Sequence, residues 1–75
     1  MDIEQLNELL KKVEKENETF ELQSDLDIAS VHFARGRFLF ILNGKGLLSL
    51  KKTSFKEKLM FQIKKRNLKL VDELA

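Results

Sequence analysis

Apolar residues open the chain at three- and four-residue spacing: Ile3, Leu6, Leu10 and Val13 form one stripe, which Leu9 widens. Asp2 precedes the stripe and Gln5 follows it three residues later, a pairing that suits an N-cap and its capping-box partner. The pattern predicts an amphipathic helix over about residues 3 to 17, with Glu4, Glu8, Lys11, Lys12 and Lys15 on its outer faces. Glu8 and Lys12 are spaced to pair one turn apart, and Asn17 with the β-branched Thr19 suits the helix end.

From Thr19 the period drops to two. Phe20 and Leu22 alternate with Glu21 and Gln23, a short half-buried strand, and Ser24-Asp25 with Asp27 is turn chemistry. Ile28 to Ala34 reads as a second strand, with Ala29, Val31 and Phe33 on one face and Ser30 and His32 on the other. Arg35-Gly36 makes a tight reversal, because glycine accepts positive φ without a Cβ clash. Arg37 to Leu42 is apolar on both faces, Phe38, Phe40 and Leu42 on one and Leu39 and Ile41 on the other, which predicts a central strand covered on both sides. Asn43-Gly44 is a strong hairpin signal; with Lys45-Gly46 it predicts a four-residue loop before a fourth strand, Leu47 to Lys51.

Ser54 and Glu57 form a second capping box, opening a helix whose stripe is Phe55, Leu59 and Ile63, flanked by Met60. Lys64, Lys65 and Arg66 in its last turn complement the negative end of the helix dipole. Past Asn67 two continuations stand. Asn67 is a left-handed cap followed by a short strand over Leu68 to Val71, or the helix runs on through Leu70 and Leu74. Lys56, Arg66 and Glu73 would crowd the longer stripe, which favours the break.

Helix, three or four antiparallel strands and helix make one α+β domain over residues 1–75, with both helices packed on one face of the sheet. The two-sided third strand implies a cover for the second face, and a second copy of the chain is the simplest one. Phe38, Leu39, Phe40, Ile41 and Leu42 are therefore the expected dimer or partner interface. Size points the same way, since 75 residues without a cysteine have neither a disulfide nor a thiolate zinc site to supplement a small core.

The longest strictly apolar run, Phe38 to Leu42, is far short of the roughly 18 residues a spanning helix needs, so no membrane segment is expected. MDIEQLNELL lacks the basic start and small-residue cleavage site of a secretory signal, which makes the cytoplasm the default compartment.

Net charge is only +2, but it is strongly polarised. Residues 1 to 28 carry three lysines against nine acids, a balance of −6; residues 29 to 75 carry eleven Lys and Arg against Glu57, Asp72 and Glu73, a balance of +8. Such a split suggests an anionic partner for the basic part, or pairing between the two parts.

Catalytic motifs do not emerge. Gly44-Lys45 is followed by Gly46 and then by strand residues, and position 40 is Phe, so the phosphate-loop spacing and its helix N-terminus are both missing. His32 is the single histidine; a zinc site would need several carboxylates beside it. Serines 24, 30, 49 and 54 have no recognisable base and orienting acid, and Glu14, Glu18 and Glu21 read as a solvated acidic helix end. The expectation is a non-catalytic protein with no cofactor and no metal.

Basic residues come from several elements: Arg35 and Arg37 at one turn, Lys45 at the next, Lys51, Lys52, Lys56 and Lys58 around the second helix start, Lys64, Lys65 and Arg66 near its end. Lysine charge and free N–H groups at a helix start both favour phosphate, so these ten form the candidate nucleic-acid surface, for DNA or RNA. Helix, three strands and helix, with lysines just before the last helix, is an arrangement similar to double-stranded-RNA-binding domains; GKGLLSLKKTSFKEK departs from that family's compact lysine-alanine helix start. The alternative is a small protein-binding regulator or inhibitor, of the type mobile elements encode, docking on a larger protein through its acidic first helix or an exposed sheet face or edge.

Overall fold

Asp2 caps the first helix by accepting the backbone N–H of Gln5 at 2.8 Å, and the apolar stripe behind it runs as α1, Ile3–Glu16. Asn17 ends it in the left-handed region at φ 58°, and the N–H of Glu18 reaches back to the Lys12 carbonyl. The structure, a computed structural model, describes residues 1–71. Among them, α1 is followed by β1 (Phe20–Gln23), β2 (Ile28–Ala34), β3 (Arg37–Leu42), β4 (Lys45–Leu50), α2 (Lys52–Arg66) and β5 (Lys69–Leu70). This is the α+β meander the residue pattern predicts. All pairings are antiparallel, in the spatial order β4-β3-β2-β1-β5.

Both helices cover the same face. Leu6, Leu10 and Val13 of α1 and Phe55, Leu59 and Ile63 of α2 join Leu22, Ala29, Val31, Phe38 and Phe40 in one buried cluster. Phe38 is its hub: its ring stacks on Phe55 at 5.3 Å and meets the edge of Phe33 at 4.9 Å. The two faces of β3 divide as its alternation predicts, Phe38 and Phe40 fully buried, Leu39 and Ile41 half-buried on the far side.

Both β2–β3 and β3–β4 turns place two consecutive residues at positive φ, Arg35 and Gly36 (54° and 77°), then Asn43 and Gly44 (51° and 83°). That is the geometry of two-residue hairpins whose twist matches the strands. The second loop is therefore two residues rather than the expected four, and β4 begins at Lys45. The extra length is absorbed as a bulge: Phe40 pairs with Leu48 but Ile41 pairs with Gly46, leaving Leu47 unpaired between them. A bulge on an edge strand also discourages unwanted strand pairing.

Two further expectations are corrected, and the favoured break after Asn67 is found. The second helix starts at Lys52, because the Lys51 carbonyl already accepts the N–H groups of Ser54 and Phe55; Ser54 lies inside the first turn and does not cap it. Glu8 meets Lys11, three residues on, at 3.6 Å, instead of Lys12. Past Asn67 the chain breaks: Asn67 is left-handed (φ 53°), Leu68 turns into the core and donates to the Ile63 carbonyl, and Leu70 pairs with Leu22 in β5. The alternative continuation through Leu74 lies outside the described residues. Among those described, no helix is long and apolar enough to cross a membrane.

Asn43 ties this layout together. Its Oδ1 accepts the Ile28 N–H at 2.9 Å, its Nδ2 donates to Asp27 at 2.9 Å, and its own N–H reaches the Ile28 carbonyl at 2.7 Å. Replacing Asn43 by glycine removes the side-chain staple while keeping a residue suited to positive φ. In urea unfolding, Asn43→Gly is expected to cost about 1 kcal/mol, and Asn43→Ala more, since alanine adds left-handed strain to the same loss.

Candidate nucleic-acid interface

The fold carries the charge split along the sequence partly into space. α1 packs over β2 and α2 over β3 and β4. The acidic α1 and β1 therefore lie toward one side of the sheet, and β4 with the start of α2 toward the other, while the end of α2 returns to Asp27 and the chain continues as β5 beside β1.

From the N-cap of α2 onward, Lys51, Lys58 and Lys65 recur every seven residues. Two turns separate each from the next, so they form a line of cations about 10 Å apart along one side of the helix. Phe61 projects between Lys58 and Lys65, 61% exposed, with Lys65 Nζ 5.7 Å from its ring centroid. Beside it, between α2 and edge strand β4, runs a groove of about 490 Å³ lined by Leu48, Glu57, Lys58, Phe61 and Gln62.

The remaining basic residues distribute unevenly. Arg35 and Arg37 stand at the end of the sheet where Phe38 pairs with Leu50, next to Lys51. Arg37 lies along the outer face, its Nη2 donating to the Ser49 carbonyl at 2.8 Å and its Nε to Ser49 Oγ at 3.3 Å. Lys45 is exposed at the other end, where β4 pairs with Leu42, and Lys64 is exposed near the end of α2.

Two of the ten are spent inside the molecule. Lys52 pairs with Glu14 of α1 at 3.4 Å, and Lys56, one turn further on, shares that flank and is half-buried. Arg66 pairs with Asp27 at 3.6 Å, with side chains only 28% and 15% exposed, and its Nε donates to Gln62 at 2.9 Å. Arg66, Asp27 and Asn43 thus link the end of α2 to the β1–β2 and β3–β4 turns.

Of the five residues expected to face a partner, Phe38 and Phe40 are buried beneath the helices and Leu42 packs against the same core. Leu39 and Ile41 alone open to the outer face, joined there by Ile28 and Leu47, 63% and 44% exposed. The narrowing follows from strand alternation, which gives each face of β3 only half its apolar residues.

Two features escape a reading of the sequence for stripes. Phe61 lies off the Phe55–Leu59–Ile63 line, which is itself the signal of an aromatic outside the core. Ser30 Oγ and His32 Nε2 are 2.7 Å apart, neighbours because residues i and i+2 share a strand face. The pair offers a hydroxyl beside a base, but both residues lie in a flat sheet whose β2 backbone is engaged with β1 and β3, so their own strand aims no donor pair at a developing oxyanion. Among the described residues, no three His, Asp or Glu side chains come together as a metal site would require.

Compared with protein-family models, curated protein sequences and solved structures, the chain matches none.

If Arg66 and Asp27 act as a unit, the variants Arg66→Gln and Asp27→Asn will each destabilise the fold, and the double variant will cost less than their sum. A coupling of about 0.5–1 kcal/mol is expected from the four denaturation curves.

Proposed function

We propose that the protein is a non-catalytic, cytoplasmic regulator that binds the phosphate backbone of nucleic acid along its α2–β4 flank. The observation that carries the reading is the line Lys51–Lys58–Lys65, with Arg35 at the turn near its Lys51 end and Lys45 at the far end of β4; Arg37 lies along the outer face, held by Ser49. Among the described residues from Ala29 onward, Glu57 is the one acid. A basic stripe on one side of a small domain, opposed by an acidic side, orients the molecule as it approaches a polyanion. Lys52, Lys56 and Arg66 do not belong to the contact surface, because the first and last pair with acids of the chain and the second is half-buried.

A second reading rests on the outer sheet face. Ile28, Leu39, Ile41 and Leu47 stand side by side on a surface that neither helix covers, and a second copy of the chain presents a matching apolar face. Light scattering at micromolar concentration separates the cases: a particle of twice 8.8 kDa supports the homodimer, and Ile41→Lys should return it to the single mass. A particle of 8.8 kDa at all concentrations rejects it.

For the leading reading, fluorescence anisotropy with labelled DNA and RNA is the test. Contact with about 4 to 6 phosphates gives a slope of about −4 to −5 in log affinity against log salt for duplex DNA. Lys58→Gln with Lys65→Gln should make that slope shallower by about 1.8, whereas Lys52→Gln should leave it unchanged. No binding to either polymer at low salt rejects the proposal.

A further inference from the structure

We infer that the groove between α2 and β4 is a base-stacking subsite, so that the ligand of this flank is single-stranded rather than duplex nucleic acid; the inference rests on the nucleic-acid reading above. Its starting point is Phe61, a large apolar ring held in solvent between two lysines, Lys58 and Lys65. In a duplex the bases are stacked on one another, and a ring on a convex helix face would meet only sugar and phosphate. In a single strand each base has a free face, and an aromatic ring bordered by cations is the pairing that non-specific single-strand binders use: stacking for the base, lysines for the backbone.

The groove has the composition such a subsite needs. Leu48 and Phe61 supply apolar surface and Lys58 stands at the rim; the volume of about 490 Å³ has room for a nucleobase. Glu57 also lines it, and a carboxylate repels phosphate but accepts hydrogen bonds from the amino groups of bases. That placement favours the base inside and the phosphates outside, along Lys58 and Lys65. Gln62 Oε1 is engaged by Arg66 Nε, so what its amide offers to a base edge is the N–H₂. The strand would follow the line of lysines beside β4.

The experiment compares a fluorescein-labelled oligo-dT with a hairpin duplex of equal phosphate count, using the full chain and the variants Phe61→Leu and Phe61→Trp. The wild type should bind oligo-dT more tightly than the duplex. Phe61→Leu should weaken oligo-dT binding by about 5- to 150-fold, leave duplex binding nearly unchanged, and show wild-type circular dichroism, since the ring lies outside the core. Phe61→Trp should restore the single-strand preference. Binding to both polymers with no effect of Phe61→Leu overturns the stacking subsite alone; binding to neither overturns the nucleic-acid reading with it. A parallel NMR titration identifies the occupant. Oligo-dT should shift the amides of Leu48, Lys58, Phe61 and Gln62, and shifts there with an extended acidic peptide but not with oligo-dT would assign the groove to a protein partner instead.

Discussion

The contact of Phe38 with Phe55 and Phe33 sets the rest of the structure. β3 is apolar on both sides, so hydrophobicity alone does not say which side the helices cover. Three aromatic rings in contact give the Phe38–Phe40 side the larger buried surface, and α2 docks where Phe55 can stack. Once that side is taken, alternation forces Leu39 and Ile41 outward. A slip of one residue would exchange the two sets and place phenylalanines in solvent. The two-residue turns on either side of β3 hold the register against such a slip, and the bulge at Leu47 lets β4 resume its pairing after a loop two residues shorter than its glycines suggest.

Charge segregation follows from topology. From β1 to β4 sequence order is spatial order, so the acidic first strand and the basic fourth strand lie apart in the sheet, but the chain then crosses back through α2 and returns as β5 beside β1. The halves meet along the β1–β2 and β1–β5 ladders, and between the two helices Lys52 pairs with Glu14. The second internal pairing, Asp27 with Arg66, lies where the β1–β2 turn reaches the end of α2. Both contacts join the two halves and leave Lys52 and Arg66 paired within the chain.

Elements were legible in the sequence wherever a period and a terminator agreed. Ile3 to Val13 carried a helical period between Asp2 and Asn17, and Asn67 stopped the second helix by the same left-handed geometry. Local chemistry was less legible where two signals competed. Ser54 and Glu57 have capping-box spacing, yet the helix begins three residues earlier, with Lys51 in the N-cap place expected of Ser54, because β4 delivers the chain at Lys51 already extended and its carbonyl accepts the first N–H groups. Lys45-Gly46 looked like loop, but edge pairing with Leu42 and Ile41 outweighed the glycine. At the candidate interface the sequence showed how many cations exist but not their direction; that Arg66 turns inward depends on Asp27, thirty-nine positions away in the chain, whose place is set by the sheet.

Counting basic residues therefore overstates a binding surface, and the corrected surface is more informative than the count. Ten cations scattered over a domain would attract any polyanion weakly and in any orientation. With Lys52 and Arg66 paired and Lys56 half-buried, three of the cations that remain, Lys51, Lys58 and Lys65, form a line with an aromatic ring in it and an apolar groove beside it, and a line has a direction and a spacing. Diffuse charge controls how fast a polyanion arrives, while ordered charge combined with an apolar contact discriminates among polyanions by the shape of what lies between their phosphates. Phe61 is outside the hydrophobic stripe of α2 and 61% exposed, so core packing does not account for its place there. The lysines that flank it are the groups that, in the proposed reading, would hold a strand against it.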